Sequence, residues 1–132
     1  MKQVLSTLNF KTNHQGFTDI TQDLNLWIKN KKLKEGILLI FLKHTSCSLI
    51  INENADINVL KDLSNYINAI VPEEKFYPID NSNQKTEYLH SEEGVDDMPA
   101  HIRTSLTSTS LSISIKESKL DLGVWQAIYL WE

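Results

Sequence analysis

Polar and apolar residues near the start of the chain follow patterns that predict one strand and one helix. Residues 2–12 alternate loosely between the two classes, which is typical of a strand, and His14-Gln15-Gly16-Phe17 is predicted to form a turn. Apolar residues then recur with helical spacing over residues 20–28. Thr18 or Asp19 is in position to cap this helix.

The middle of the chain predicts two strands and a second helix. Residues 37–43 form a short apolar run that predicts a buried strand, and residues 46–51 predict another. Because only the bend at His44-Thr45 separates them, we expect the two strands to form an antiparallel hairpin. Apolar residues at helical spacing then predict a helix from about residue 56 to residue 70.

The last third begins with a polar stretch at residues 80–92, which predicts a long loop. Asp96 or Asp97 can cap a third, short helix. Serine alternates with apolar residues over residues 110–116, which predicts a strand with one buried face, and residues 119–131 complete a second hairpin. This mixture of elements predicts an α+β domain with a mostly antiparallel sheet and about three helices.

Composition and charge narrow the classes of protein to which the chain can belong. With 132 residues, 41% hydrophobic and 23% charged, it is predicted to form a single globular domain over residues 1–132. The net charge of −4 argues against a general nucleic-acid binder, which normally presents a basic face. One local basic cluster consists of Lys29, Lys31, Lys32 and Lys34. Its position at the solvated end of the first predicted helix explains it, because lysines there interact favourably with the helix dipole.

No segment points to a membrane or to secretion. The longest apolar run has six residues, whereas a helix needs about 20 to span a bilayer, and the N-terminus lacks the apolar core of a signal peptide. The single cysteine, Cys47, cannot form an internal disulfide and points to a reducing compartment. We therefore expect a cytoplasmic protein without membrane or nucleic-acid partners.

Several familiar catalytic motifs are missing from the sequence. It contains no G-x-G-x-x-G, G-x-x-x-x-G-K-[ST], G-x-S-x-G, C-x-x-C or H-E-x-x-H, which disfavours dinucleotide enzymes, P-loop NTPases and α/β-hydrolases. Polar residues gather instead in His44-Thr45-Ser46 and in Asn52-Glu53-Asn54-Ala55-Asp56. In a hairpin these two groups would lie at opposite ends, unless a neighbouring chain or element joins them.

A third polar group spans residues 90–101 and has a spacing with chemical meaning. Asp97 and His101 are four residues apart, which places them on one face of a helix. A carboxylate and an imidazole in that arrangement are suitable as metal ligands or as an acid–base pair. An N-capping aspartate beside a surface histidine would produce the same spacing.

Histidines and the cysteine are the remaining candidates for chemistry. His44, His90 and His101 each lie beside other polar candidates, and imidazole is a common zinc ligand, so the three are candidate zinc ligands. Each one taken singly is also explained as a structural residue. His14 is predicted to be a turn residue. Cys47 lies on a predicted buried strand, so we expect a small inert core residue; a nucleophile would need a stabilised thiolate.

Four strings of residues occur in the order and at the separations found in one protein family. They are His44-Thr45-Ser46, Asn52-Glu53-Asn54-Ala55-Asp56, Glu93-Gly94-Val95-Asp96-Asp97-Met98-Pro99-Ala100-His101-Ile102 and Leu122-Gly123-Val124-Trp125-Gln126-Ala127-Ile128-Tyr129-Leu130. On these strings the chain resembles the YjbQ-like family of small proteins over nearly its whole length. The resemblance implies a compact α+β domain that assembles as a homotrimer, with sites near the subunit interfaces.

The resemblance also implies an activity and a set of site residues. The family is commonly described as a secondary thiamine-phosphate synthase, which joins a hydroxymethylpyrimidine diphosphate to a thiazole phosphate and releases diphosphate. By motif, the catalytic residues would be Glu53, Asp97 and His101. The substrate-binding residues would be Thr45, Ser46, Asn54, Asp56, Arg103, Trp125 and Gln126. The metal ligands would be His44, His90 and His101.

Release of diphosphate sets requirements against which these residues can be compared. The developing charge needs a divalent cation and basic side chains. Glu53, Asp56 and Asp97 are candidates to hold magnesium through water, and Lys43 and Arg103 are the nearest basic residues.

The C-terminus departs from the family pattern. Members of the family usually continue past the last glutamate with a Gly/Arg-containing turn and one more strand, whereas this sequence stops at Glu132. That tail carries basic residues, so if it is truly absent, the expectation of phosphate binding is weaker and we expect an uncovered sheet edge. If the tail was only trimmed from this sequence, neither consequence follows.

Two hypotheses of different classes follow. In the first, the chain is a thiamine-phosphate synthase-like transferase with weak or secondary activity that acts on small phosphorylated molecules. In the second, it is a metal- or anion-binding homotrimer without efficient catalysis. Zinc or magnesium is the expected cofactor in either case.

Overall fold

The computed structural model describes residues 2–13, 15–78 and 84–132. These residues form three helices, Thr21–Asn30 (α1), Ile57–Ile70 (α2) and Asp97–Leu106 (α3). The strands are Phe17–Asp19 (β1), Gly36–Phe41 (β2), Ser48–Glu53 (β3), Lys75–Phe76 (β4), Thr86–Glu87 (β5), Ser110–Lys116 (β6), Lys119–Leu120 (β7) and Gln126–Trp131 (β8). The predicted α+β class is confirmed. Within the described part of the chain, no helix is both long and apolar enough to cross a bilayer.

The strands pair antiparallel in three small sheets, with orders β1-β8-β3, β2-β6-β7 and β4-β5. The predicted hairpin of residues 37–51 is wrong, because β2 pairs with β6 and β3 pairs with β8. The second predicted hairpin is only partly correct. Residues 119–131 divide into β7, which pairs with β6, and β8, which joins the other sheet.

Strand β8 lies at the centre of the hydrophobic core. Its residues 127–131 are all buried, and it lies between β1 and β3. Helix α1 packs Leu24 and Ile28 against this core, to which β6 contributes Ile113 and Ile115. Removing such side chains from water contributes roughly 2 kcal/mol each. The core therefore joins elements that are distant in sequence.

The N-terminal region differs from its prediction. Among the described residues before Phe17, none forms a helix or strand, so the predicted strand at residues 2–12 is wrong. A segment with alternating polar and apolar residues forms a strand only where another strand supplies hydrogen bonds to its main chain. Phe17 instead begins β1, and its ring stacks on Trp131 at a centroid distance of 5.2 Å. Of the predicted turn His14-Gln15-Gly16-Phe17, His14 lies outside the described residues, whereas the chain bends at Gln15 and Gly16.

Strand β2 was predicted to be buried, but only one of its faces packs on the core. Leu38 and Ile40 point inward and are partly buried. Ile37, Leu39 and Phe41 are 79%, 67% and 68% exposed in the single chain. We call these three residues the β2 stripe. Its register neighbours on β6 are the exposed residues Ser114, Ser112 and Ser110.

Candidate metal centre

Helix α3 brings together the two residues whose spacing was noted in the sequence. Asp97 is its first residue and His101 lies one turn later, so both side chains lie on the same face. Asp97 Oδ2 is 3.4 Å from His101 Nε2. The two side chains are 18% and 32% exposed, respectively, so water is partly excluded from the space between them.

His90 reaches the same place from the segment between β5 and α3. Its Nε2 lies 2.6 Å from Asp97 Oδ2, and its ring centroid is 5.6 Å from that of His101. One ligand atom from each of the three residues lies within 4.8 Å of the others. We call His90, Asp97 and His101 the candidate centre. The predicted proximity of Asp97 and His101 on one helical face is therefore present, and His90 joins them.

A main-chain contact fixes the orientation of the His101 ring. Its Nδ1 lies 3.0 Å from the Thr45 carbonyl oxygen. Because a carbonyl oxygen can only accept, Nδ1 must carry the hydrogen. In the neutral ring, Nε2 then presents a lone pair toward Asp97, which is itself an acceptor. Two facing acceptors need a proton or a cation between them. A carbonyl that fixes the tautomer is also the usual outer contact of a metal-ligating histidine.

The spacing of the ligand atoms can be compared with that of a zinc site. Tetrahedral zinc with bonds of about 2.0–2.1 Å holds its ligand atoms about 3.3 Å apart. The 3.4 Å between Asp97 and His101 matches this separation. The 2.6 Å between His90 and Asp97 is shorter, so His90 would have to move outward by about 0.7 Å to share a zinc ion. The His90 side chain is 47% exposed, so part of its surface faces solvent.

The surroundings of the candidate centre are acidic. Glu92, Glu93 and Asp96 lie in the same segment as Asp97, an arrangement that favours a cation over a phosphate group. Gly94 shapes this segment, because its φ of +136° is one that other residues rarely adopt. A Cβ atom at Gly94 would lie 2.8 Å from Asp96 Oδ1, so a larger residue would have to displace the Asp96 side chain as well as adopt this φ.

The segment His44-Thr45-Ser46 was expected to supply a metal ligand, His44, and two substrate-binding side chains. In the structure it contacts the candidate centre through the main chain of Thr45. The His44 ring is not part of the three-residue group; its Nδ1 accepts a hydrogen bond from the Ser46 main-chain N–H at 3.1 Å. Ser46 Oγ lies 3.4 Å from the same nitrogen. Thr45 contributes its carbonyl group to His101. The sequence offered no signal for this main-chain role.

Glu53, Asn54 and Asp56 lie in a second place, an open cleft of about 350 Å³ that Tyr129 also lines. Asp56 Oδ1 accepts the Asn58 N–H at 2.8 Å and so caps α2. Strand β3, about 17 Å long for its six residues, runs between this cleft and the segment that contacts His101. One ion held jointly by Glu53, Asp56 and Asp97 of the same chain does not fit this separation.

The remaining predicted substrate residues are distributed around the fold. Trp125 is 63% exposed, and its carbonyl accepts the N–H of the cleft-lining residue Asn54 at 3.0 Å. Gln126 Oε1 accepts the Gly123 N–H at 2.7 Å and closes a turn. Arg103 is only 4% exposed, and its Nη2 donates to the Val71 carbonyl at 3.2 Å.

Cys47 lies in the core and is 7% exposed. Burial raises the pKa of its thiol, and the negative charge of Glu132 adds to the increase. The thiol therefore stays protonated at neutral pH, as expected for an inert core residue.

Sequence reasoning did not single out Tyr88. Its hydroxyl donates to the Pro72 carbonyl at 2.9 Å, and its ring lies 5.1 Å from that of Phe76. Burial raises the pKa of the Tyr88 hydroxyl, and the Arg103 guanidinium partly offsets this increase. The only available signal was its position two residues before His90.

Comparison with known proteins identifies relatives along almost the whole chain. The family model described as UPF0047 protein YjbQ-like matches residues 6–132. The UPF0047 protein sll1880 from Synechocystis is 39% identical over 131 residues, which cover 99% of this chain and 82% of the relative. The UPF0047 protein YjbQ from Escherichia coli O157:H7 is 36% identical, over 96% of this chain and 84% of the relative.

Solved structures share the fold. An uncharacterised conserved protein of the YjbQ/UPF0047 family from Clostridium acetobutylicum superposes with a TM-score of 0.74 at 31% identity, covering 91% of this chain and 82% of that one. A hypothetical protein from Aeropyrum pernix gives a TM-score of 0.76 at 22% identity, covering 93% of this chain and 83% of that one. The second likeness supports the fold alone.

Proposed function

The chain belongs to the UPF0047 protein YjbQ-like family, and we propose that it binds a divalent metal ion, best matched by zinc, at His90, Asp97 and His101. The observation that carries this proposal is the convergence of three ligand atoms within 4.8 Å. One of the ligands is already held in the tautomer that a metal requires, by the Thr45 carbonyl.

The donor set favours zinc over magnesium. Two imidazole nitrogens and one carboxylate oxygen suit zinc and other transition metals. Magnesium prefers six oxygen ligands in an octahedron. Three protein ligands leave the fourth zinc position for water or a substrate. A metal held in this way would lower the pKa of bound water and polarise a carbonyl or phosphoryl oxygen.

A homotrimer is part of the proposed function. The β2 stripe supports association of copies, because it places three large apolar side chains together on one exposed sheet face. Exposed apolar patches of this kind mark interaction sites. The proposed location is the cytoplasm, which fits a single unpaired cysteine.

The thiamine-phosphate synthase-like transferase is the second candidate function. The cleft beside Glu53 and Asn54 favours it, because Trp125, whose carbonyl accepts the Asn54 N–H, carries an exposed ring that is suitable for stacking on a pyrimidine or thiazole ring. Release of diphosphate also requires positive charge. Arg103 of the same chain is engaged by Val71. This candidate therefore depends on Lys43, on a bound cation or on basic groups of a neighbouring copy.

Zinc binding is tested by elemental analysis of dialysed protein and by calorimetric titration of the metal-free protein with zinc. We expect about one zinc per chain, and a loss of affinity of at least 100-fold in His90→Ala, Asp97→Asn and His101→Ala. His44→Ala is the matched control, because its ring lies outside the candidate centre. Wild-type protein that takes up no zinc would refute the proposal.

The transferase is tested separately, by following thiamine-phosphate formation from the two phosphorylated precursors with magnesium or zinc present. We expect Trp125→Ala to raise KM if the cleft binds a precursor ring. Wild-type protein that forms no product with either metal would remove this candidate and leave zinc binding untouched.

A further inference from the structure

We infer that Tyr88 and Arg103 are positioning residues of the candidate centre. Each donates a hydrogen bond to one of two consecutive main-chain carbonyls at the end of α2, and together these bonds set the distance between His90 and His101. The inference rests on the proposed metal function and names the residues that make the ligands converge.

Tyr88 holds the segment that contains His90 against the residue that follows the C-cap of α2. This segment follows β5, a two-residue strand that pairs only with β4 within the described sheets. The Tyr88 hydroxyl donates to the Pro72 carbonyl at 2.9 Å. His90 comes only two residues later, so movement of the Tyr88 anchor is transmitted to its ring.

Arg103 holds helix α3, which contains His101, against the C-terminal end of α2. It lies two residues after His101, which is about 200° around α3, so it points to the opposite side of the helix. Its Nη2 donates to the carbonyl of Val71, the C-cap residue of α2. A cation at this position also interacts favourably with the negative end of the α2 dipole.

The hydrogen bonds of Tyr88 and Arg103 connect the end of α2 to the candidate centre by two separate routes. Val71 and Pro72 are joined by one peptide bond, whose geometry is fixed. From this point one path runs through Tyr88 to His90, and the other runs through Arg103 to His101. Both paths meet again at Asp97, which contacts both rings. The end of α2 therefore sets the spacing of the ligands without supplying one.

Metal affinity depends steeply on ligand spacing, because the ligand atoms must lie within a few tenths of an ångström of their coordinated positions. Loss of a supporting contact typically lowers metal affinity by about 10- to 100-fold. Tyr88 acts through two residues of main chain, so we expect about a tenfold loss, near the lower end of that range.

The test compares two tyrosine hydroxyls that donate to main-chain carbonyls. Tyr88→Phe removes the bond to Pro72 and keeps the ring that packs on Phe76. Tyr129→Phe removes the bond to Glu53, at 3.2 Å, and serves as the matched control. Zinc titration at 25 °C is expected to show about a tenfold higher Kd for Tyr88→Phe and less than a twofold change for Tyr129→Phe.

Arg103 is tested with a pair of variants. Arg103→Met removes the charge and the donor, whereas Arg103→Lys keeps the charge and an N–H donor at the end of a flexible side chain. We expect a tenfold or greater rise in Kd for the methionine variant and recovery to within about threefold for lysine. The melting temperature of each metal-free variant, measured in parallel, must lie well above 25 °C for the comparison to count.

A merely structural role predicts lower melting temperatures with unchanged zinc Kd. That result in both Tyr88→Phe and Arg103→Met, or equal loss of affinity in Tyr129→Phe, overturns the inference. If wild-type protein binds no zinc, the proposed function fails, but the inference is still tested by nuclear Overhauser effects between the His90 and His101 rings in metal-free protein. We expect these signals in wild type and their weakening in Tyr88→Phe; unchanged signals overturn it.

Discussion

The His101 ring shows how a single contact determines the role of a residue. Its pairing with Asp97 could be predicted from sequence, because the four-residue period of a helix is a local property. Its bond to Thr45 joins residues 56 positions apart, and no periodic pattern encodes such a contact. The recruitment of His90 and the exclusion of His44 have the same cause, since both lie in irregular segments whose paths depend on tertiary packing.

The Cys47 thiol leads to a prediction about stability at alkaline pH. Burial raises its pKa in the folded state, so above the ordinary thiol value of about 8.5 the unfolded chain releases a proton that the folded chain retains. Stability is then lost as pH rises from that value through the folded-state pKa, and is unaffected below it. We expect the free energy of unfolding to fall more between pH 7 and pH 10 in wild type than in Cys47→Ala.

Urea unfolding of both proteins at the two pH values measures this difference. Cys47→Ala also leaves a small cavity, which lowers stability equally at each pH, so only the change with pH is diagnostic. Parallel pH profiles in the two proteins would contradict the prediction.

The three helices were predicted closely, whereas the pairing of the strands was not. A helix is encoded by residues within a few positions of one another, so apolar spacing alone predicted α2 well. Strand pairing is a choice among distant segments. Here β8 lies between β1 and β3, which both come from the first half of the chain. Short separation in sequence favoured a β2–β3 hairpin, but the core around β8 determined the actual pairing.

Helix α2 provides a test of whether Asp56 has a structural role. Its side chain accepts the Asn58 N–H at the start of the helix, and loss of such a cap costs about 1 kcal/mol. We expect Asp56→Ala to lower the free energy of unfolding by that amount in urea titrations, without a change in zinc affinity. Asp62→Ala, at an exposed position within the same helix, is the control and should change stability by less than half as much.

For the molecule as a whole, the β2 stripe is a feature that the described residues of a single chain leave unexplained. Its three apolar side chains lie on a sheet face rather than on scattered positions. The sequence predicted a buried strand, and a contact between chains would reconcile that prediction with the exposure seen in one chain. Sequence periodicity cannot distinguish burial inside one chain from burial between chains.

This interpretation predicts the outcome of placing a charge within the stripe. Leu39→Lys puts a cation at the centre of the proposed contact, where burying it is strongly unfavourable. We expect wild-type protein to sediment as a trimer and Leu39→Lys to sediment as a monomer with its fold retained. Leu26→Lys, at another exposed leucine on α1, should remain trimeric. Wild-type protein that sediments as a monomer at micromolar concentration would contradict the proposed assembly.

The hydrogen bonds that frame the candidate centre end on the carbonyl oxygens of Thr45, Val71 and Pro72. Every amino acid supplies that acceptor, so evolution can exchange the residues at these positions without loss of the contact itself. The donors have no such freedom, because few side chains offer the required N–H or O–H at that reach. Among relatives, we therefore expect the metal ligands and the hydrogen-bond donors Tyr88 and Arg103 to be invariant. The residues that supply only a main-chain carbonyl are expected to vary in identity.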